Sequence, residues 1–102
     1  MFIVAYEFKV KAGCEAPFIE AWRAVTLAFR RYRGALGSRL HRAEDGTYVA
    51  YAQWPSEESY GQASVLPEEV VVAQRQLRES CDEIITWKKM SVVDDLLVQE
   101  SA

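Results

Sequence analysis

His41 is the only histidine of the 102-residue sequence, and histidine is the residue type that ordinarily exchanges a proton near neutral pH. It is therefore a candidate general base. Arg39 stands two residues before it, on the same face of a predicted strand, and could hold the anion that such a base creates. The alternative is that His41 lies on an edge strand, partly exposed or facing a second copy of the chain.

Aromatic residues are the second group with chemical potential, because a reactive anion needs a dry slot around it. The candidates for the walls of such a slot are Trp22, Tyr6, Tyr51 and Trp54, with Tyr48 and Trp87 beside them. Trp22 belongs to a helical apolar stripe and should face the sheet. Ordinary core packing is the alternative interpretation for each of these side chains. Tyr48 and Tyr51 point to opposite strand faces, so at most one of them can line a pocket within a subunit.

Arginine is concentrated between Ala21 and Ala43, where the sequence has no acidic residue. The set comprises Arg23, Arg30, Arg31, Arg33, Arg39 and Arg42. A local positive field of this kind could attract an anionic aromatic ligand. The alternative is that these residues complement a helix end and solvate an edge strand.

Other sequence features exclude several functional classes. The net charge of −3 argues against nucleic acid as the main partner, and no apolar run reaches the length of a membrane span. No signal peptide is recognised, and the two distant cysteines, Cys14 and Cys81, suit reduced thiols, so we expect a cytoplasmic protein. No metal-binding motif, phosphate loop or hydrolase motif is present.

The elements that must position these residues follow from periodicity and turn signals. The sequence predicts a strand over 2–10, a helix over about 15–33, a hairpin over 36–56, a short helix over 56–63, a helix from 67 to about 80, a strand over 83–93 and a tail over 94–102. Asp45-Gly46 predicts a type I′ turn in the hairpin. The tail carries Leu96, Leu97 and Val98, and we expect it to dock, for example on a partner subunit.

The element order β-α-β-β-α-β predicts one α+β domain over residues 1–102 with a ferredoxin-like fold. In this fold a four-stranded antiparallel sheet carries its helices on one face. The first and third strands nevertheless place apolar and aromatic residues on both sides. An uncovered second face would expose a large apolar patch, so we expect a homodimer that packs sheet against sheet.

The helix sequence FIEAWRAVTLAFRRYRGALGSRLHR and the segment TYVAYAQWPSEESY after a tight turn resemble the antibiotic biosynthesis monooxygenase family. The resemblance covers roughly residues 2–93. It implies a dimeric α/β barrel with a pocket between sheet and helices in each subunit. The family includes cofactor-free oxygenases of anthrones and quinols as well as haem-degrading enzymes. The haem-degrading members use an asparagine, a tryptophan and a helical histidine, whereas this sequence has no asparagine and its histidine lies in a strand.

The resemblance implies a monooxygenase that oxidises a small phenol, quinol or anthrone with O2 and no cofactor, with His41 and Arg39 as catalytic candidates. A non-catalytic dimer that binds a small aromatic ligand on the same scaffold is the alternative. Haem degradation is disfavoured. Neither a nucleic acid nor a membrane is expected as a partner.

Overall fold

The computed structural model describes residues 1–62 and 65–98. Its elements are β1 (Phe2–Val10), α1 (Glu15–Tyr32), β2 (Gly37–Arg42), β3 (Tyr48–Trp54), α2 (Glu57–Gly61), α3 (Glu68–Glu79) and β4 (Cys81–Ser91). The predicted order of elements is confirmed, and most boundaries agree within two residues. The predicted short helix ends at Gly61, and its last predicted residue, Ala63, lies outside the described residues.

The four strands form one antiparallel sheet in the order β2-β3-β1-β4. β1 and β3 are the central strands, and β2 and β4 are the edges. The ferredoxin-like α+β fold predicted from the sequence is thereby confirmed. The central strands β1 and β3 carry the most deeply buried residues of the sheet.

The core lies between the sheet and the helices. The rings of Phe8 and Phe18 are 5.1 Å apart, and those of Phe18 and Tyr48 are also 5.1 Å apart. Phe18, on α1, is fully buried because the apolar stripe of that helix faces this side of the sheet. Alternate residues of β1 and β3 therefore face the helices, and we call this side of the sheet its inner face. The other side is its outer face.

The hairpin between β2 and β3 differs from the type I′ turn that Asp45-Gly46 predicts. A type I′ turn needs φ > 0 at both central residues, but only Gly46 has a positive φ here, at 88°. The amide of Gly46 donates to the carbonyl of Ala43 (3.0 Å), as in a three-residue loop closed by a left-handed glycine. The Asp45 carboxylate accepts from the amide (3.0 Å) and hydroxyl (2.6 Å) of Thr47. These bonds stabilise Asp45 in the turn without a left-handed conformation.

A bulge in β4 overturns the predicted alternation of that strand. Tyr6 pairs with Thr86, whereas the preceding residue of β1, Ala5, pairs with Lys88, so Trp87 is the extra residue. Beyond the bulge the two faces exchange. Met90 was expected to share a face with Thr86, but its pairing with Ile3 places it on the outer face.

No helix in the described parts of the chain has the length and apolar character needed to cross a membrane. β4 ends at Ser91, and the described residues that follow, 92–98, form neither a helix nor a strand. The apolar residues Leu96, Leu97 and Val98 of this segment are exposed to 86%, 81% and 91%. Residues 99–102 of the predicted tail lie outside the described residues.

Candidate functional site

A cavity of about 200 Å³ lies between the inner face of the sheet and the helices, and we call it the sheet–helix cavity. Every strand and both long helices contribute to its walls. Its lining consists of Tyr6, Phe8, Trp22, Val25, Thr26, Phe29, Ala35, Gly37, Ser38, Ala52, Trp54, Gln74, Leu77, Arg78 and Ile84. Most of these side chains are apolar or aromatic, as is typical of a small-molecule site.

The aromatic wall of the cavity is built where α1 crosses β3. The rings of Phe29 and Trp54 are 6.1 Å apart, and the ring of Tyr60 on α2 meets Trp54 edge-on at 5.6 Å. Trp54 is only 3% exposed, and its indole Nε1 has no hydrogen-bond partner among the described residues. Packing from two helices therefore fixes the indole ring, while its N–H donor remains unused.

A few polar groups interrupt this apolar lining. They are the hydroxyls of Tyr6, Thr26 and Ser38, the amide of Gln74 and the guanidinium of Arg78. The Ser38 hydroxyl donates to the carbonyl of Tyr51 at 2.7 Å, so its proton is already engaged. Arg78 carries the positive charge of the described lining, and no carboxylate of the described residues forms an ion pair with it.

The Tyr6 hydroxyl is neutral in this site, so it acts as a hydrogen-bond donor rather than as a base. Burial raises the pKa of its hydroxyl far above the ordinary value, and a hydrogen bond with Tyr60 raises that pKa further. The neutral phenol therefore persists across the working pH range of ordinary enzymes. Its single proton is engaged with Tyr60, so a ligand oxygen would accept this hydrogen bond by replacing Tyr60 as the partner.

No aspartate, glutamate or histidine occurs among the described residues that line the cavity. The site thus offers hydrogen-bond donors and one cation, which together can stabilise an oxyanion. Within this chain it offers no side chain that ordinarily accepts a proton near neutral pH. A ligand that ionises here would need to be acidic enough to lose its proton to water.

The structure divides the predicted site residues into two groups. Trp22, Tyr6 and Trp54 line the sheet–helix cavity together. His41, Arg39 and Tyr51 lie on the outer face and do not line it.

The outer-face group forms contacts of its own. Arg39 pairs with Tyr51 across β2 and β3, and the His41 and Tyr51 rings stack at 5.8 Å. His41 Nδ1 lies 3.0 Å from the carbonyl oxygen of Val49. Within one subunit, His41 and Arg39 therefore do not share the sheet–helix cavity with Trp22. The physical reason is strand alternation, which sends residues 39 and 41 of β2 away from the helices.

The remaining aromatic candidates also separate. Tyr48 belongs to the packed core beside Phe8 and Phe18, and it does not line the cavity. Trp87 is the extra residue of the β4 bulge and is 59% exposed. Neither contributes to the described lining of the sheet–helix cavity.

Sequence reasoning missed Gln74 and Arg78, which come from α3. They are four residues apart, so they project from one side of that helix into the cavity. The available signal was their position at the border of the apolar stripe that includes Leu77. Thr26 borders the stripe of α1 in the same way.

The cysteines and acidic residues do not form a second reactive centre. Among the described residues, no group of three or more histidine, cysteine, aspartate or glutamate side chains is arranged to hold a metal ion. Cys81 is buried in the core, and this burial raises the pKa of its thiol. The neutral thiol form of Cys81 is a poor nucleophile.

Comparison with known proteins agrees with this architecture. A family model described as antibiotic biosynthesis monooxygenase matches residues 1–68. No curated protein matches the sequence.

Three solved structures illustrate the similarity in fold. SnoaB, a cofactor-independent oxygenase from Streptomyces nogalater, is 21% identical over 93% of this chain and 95% of its own, with a TM-score of 0.73. Rv0793 from Mycobacterium tuberculosis is 14% identical over 94% and 98%, with a TM-score of 0.70. A candidate antibiotic biosynthesis monooxygenase from Deinococcus radiodurans is 14% identical over 98% and 100%, with a TM-score of 0.72. At these identities, the likeness demonstrates a shared fold.

Proposed function

Because this chain belongs to the antibiotic biosynthesis monooxygenase family, we propose that it is a cofactor-independent monooxygenase of a small phenol, quinol or anthrone. The observation that carries the proposal is the composition of the sheet–helix cavity. Aromatic walls surround a guanidinium and several hydroxyls, which is the environment that an aromatic oxyanion requires. The fold shared with a cofactor-independent oxygenase supports the same activity.

In this proposal the substrate supplies the electrons. The bound substrate loses a proton, and Arg78 stabilises the resulting oxyanion through a charge-assisted hydrogen bond. The anion passes one electron to O2, and the two radicals combine to form a carbon–oxygen bond. Loss of water from the peroxide leaves a carbonyl on the substrate. One oxygen atom enters the product and the other leaves as water, so no external reductant is needed.

The chain's own residues orient the substrate and exclude water. Trp22 and Phe29 contribute ring surface from α1, while Trp54 closes the sheet side. Tyr6, held neutral by burial, donates to a substrate oxygen. The proton of the substrate leaves to solvent, because no carboxylate or imidazole of the described lining can accept it.

Oxygen uptake with a panel of quinols, naphthols and anthrones tests this proposal. Trp22→Ala should lower kcat/KM at least about tenfold, since it removes one wall of the slot. Trp87→Ala is the matched control, because that indole is outside the cavity, and it should retain activity within about twofold. Uptake no faster than in buffer across the whole panel would refute the enzyme.

His41→Ala tests whether the histidine acts as the base or the substrate proton leaves to solvent. His41 lies on the outer face, so its loss should leave the rate of oxygen uptake nearly unchanged. A fall of more than tenfold, with the protein still folded, would return His41 to the catalytic role that the sequence suggested.

A non-catalytic ligand-binding protein is the second candidate, and one observation favours it. The described lining of the cavity offers hydrogen-bond donors but no proton acceptor that titrates near neutral pH. A binding protein needs only such donors and apolar walls. It would show saturable binding of the aromatic panel and a raised melting temperature with no oxygen consumption.

We further propose that the chain forms a homodimer through the outer face of the sheet. Ile3, Val49 and Tyr51 lie there half-buried, and Met90 is 41% exposed. A second copy would cover these side chains in an isologous contact. The exposed apolar tail, Leu96 to Val98, would pack against the partner subunit.

A further inference from the structure

A second, smaller hollow adjoins the sheet–helix cavity between α1 and β2, and we call it the α1–β2 hollow. Its volume is about 160 Å³. It is lined by Trp22, Arg23, Thr26, Leu27, Arg30, Gly37 and Ser38. Four of these residues, Trp22, Thr26, Gly37 and Ser38, also line the sheet–helix cavity. The two spaces therefore share a wall that α1 and β2 build.

Two arginines give the α1–β2 hollow its chemical character. Arg23 and Arg30 are seven residues apart on α1, so both project from the same helix face, two turns apart. No carboxylate of the described residues forms an ion pair with either side chain. The two guanidinium groups are therefore available to an anion that enters between α1 and β2.

The backbone of β2 leaves room for Arg30. Gly37 has a φ of +107°, and a Cβ atom there would lie 3.8 Å from Cδ of Arg30. The aliphatic part of Arg30 thus passes over the glycine, next to the residues shared with the cavity. This contact places the Cδ atom of Arg30 where the sheet–helix cavity and the α1–β2 hollow meet.

The charge around the hollow is positive although the whole protein carries a net charge of −3. From Ala21 to Ala43 the chain has six arginines and no acidic residue. A positive patch of this kind attracts small anions, and the planar guanidinium matches the geometry of a carboxylate in particular.

We propose that the α1–β2 hollow binds the carboxylate of an aromatic acid whose ring occupies the sheet–helix cavity. Arg23 and Arg30 would then determine specificity, selecting hydroxyaromatic acids over uncharged phenols of the same size. This inference rests on the proposed function only in placing an aromatic ring in the cavity, and it does not depend on oxidation.

Equilibrium binding of two matched probes tests this assignment without measuring turnover. The probes are 2-naphthol and 3-hydroxy-2-naphthoic acid, which differ by one carboxylate, and titration calorimetry at neutral pH gives both dissociation constants. The acid should bind about tenfold more tightly at low salt, and this advantage should shrink as sodium chloride is added.

Single substitutions then test whether Arg23 and Arg30 cause the preference for the acid. Arg30→Gln and Arg23→Gln should each weaken binding of the acid about three- to fivefold while leaving 2-naphthol unaffected. Arg75→Gln on α3 is the matched control, because it removes the same charge from a residue that lines neither space. Circular dichroism melting confirms that each variant is folded.

The assignment would be overturned by equal affinity for the two probes, by equal effects of Arg75→Gln and Arg30→Gln, or by no binding of either probe. Failure of oxygen uptake with neutral quinols would refute the oxygenase alone and leave the preference for the acid intact. Binding of the acid that is unaffected by Arg23→Gln and Arg30→Gln would also refute the proposed role of the hollow.

Discussion

Arg78 is the positively charged side chain among the described residues that line the sheet–helix cavity. A guanidinium presents several donors in a fixed plane and keeps its charge at any physiological pH. If the substrate reacts as an oxyanion, the guanidinium should stabilise the transition state more than the neutral ground state. The largest single loss of catalysis is therefore expected at this residue.

Arg78→Gln should lower kcat/KM of the proposed oxidation by about 10- to 100-fold, because the donor to the developing oxyanion loses its charge. Arg78→Lys should recover part of the loss, since it restores the charge but not the planar geometry. Steady-state oxygen uptake measures both variants. Arg75→Gln provides the control, and an equal loss in that variant would show that only the overall charge matters.

Tyr6 links the cavity to the alkaline stability of the protein. Burial and the hydrogen bond with Tyr60 raise its pKa in the folded state, whereas in the unfolded chain a tyrosine ionises near pH 10, at about its ordinary value. Above that pH the unfolded state loses the proton while the folded state keeps it. The free energy of unfolding must therefore fall as pH rises.

Tyr6→Phe should reduce this alkaline loss of stability, because phenylalanine has no proton to release. Urea denaturation at pH values from neutral to strongly alkaline measures the effect. Tyr32→Phe changes an exposed tyrosine of α1 and should leave the pH dependence as in the natural sequence. Identical curves for Tyr6→Phe and the natural sequence would contradict the assignment of the shift to Tyr6.

The short helix α2 supports the aromatic wall of the sheet–helix cavity. Its five residues place Tyr60 against two aromatic residues of the sheet, with ring centroids 5.6 Å from both Phe2 and Trp54. Ser56 caps the helix, since its hydroxyl accepts from the amide of Ser59 at 3.2 Å. The Ser59 hydroxyl in turn accepts from the amide of Ser56 at 3.2 Å. The cap thus holds the residue that supports Trp54.

Ser56→Ala should destabilise the fold by about 1 kcal/mol, which is the usual cost of losing a helix cap. It should also increase the mobility of Tyr60, so binding of aromatic probes in the cavity should weaken together with stability. Thermal denaturation and probe titration measure the two effects. Ser91→Ala, at an exposed strand end, is the matched control, and an equal change there would remove the cap from the explanation.

The elements also show what the sequence could predict. The apolar stripe of α1 predicted that Trp22 faces the sheet, because periodicity is a local property. The bulge at Trp87 was not predictable, since it exists only in the register between β4 and β1. Because of this bulge, Met90 lies on the outer face and not, as the alternation predicted, on the face of Thr86.

The candidate site was predictable in part for the same physical reason. Trp22, Tyr6 and Trp54 were candidates for slot walls because they are aromatic, and Trp22 also because it belongs to the apolar stripe of α1; all three line the cavity. The face of β2 on which His41 lies was not predictable. β2 carries polar and apolar residues on both faces, and alternation alone does not show which face contacts the helices. Arg78 was missed because a charged residue at the border of an apolar stripe is ordinarily exposed.

At the scale of the whole molecule, we expect the inner and outer faces of the sheet to have different functions. The inner face builds the cavity, and the outer face presents half-buried apolar side chains beside charged ones such as Arg39 and Lys88. A monomer that left this outer face in water would expose Met90. The proposed homodimer follows from this exposure.

Ile3→Lys should weaken the dimer at least about tenfold, because Ile3 pairs with the uncharged Gln53 and Met90 on the outer face and an unpaired charge there would be buried between the copies. Sedimentation velocity over a range of protein concentrations measures the shift toward the monomer. Glu44→Gln changes the net charge in the same direction on an exposed loop and should not affect assembly. A natural protein that is already a stable monomer at micromolar concentration would contradict the proposal.

The bulge of β4 also bears on where this chain tolerates a change in length. One inserted residue within β3 would send Ala52 and Trp54 to the opposite side of the sheet and bring Tyr51 and Gln53 into their places. Both neighbours of β3 would enforce that exchange, whereas β4 has a free edge and already accommodates an additional residue at Trp87. Insertions and deletions during divergence should therefore collect in β4 and the connecting loops, while the length of β3 stays constant.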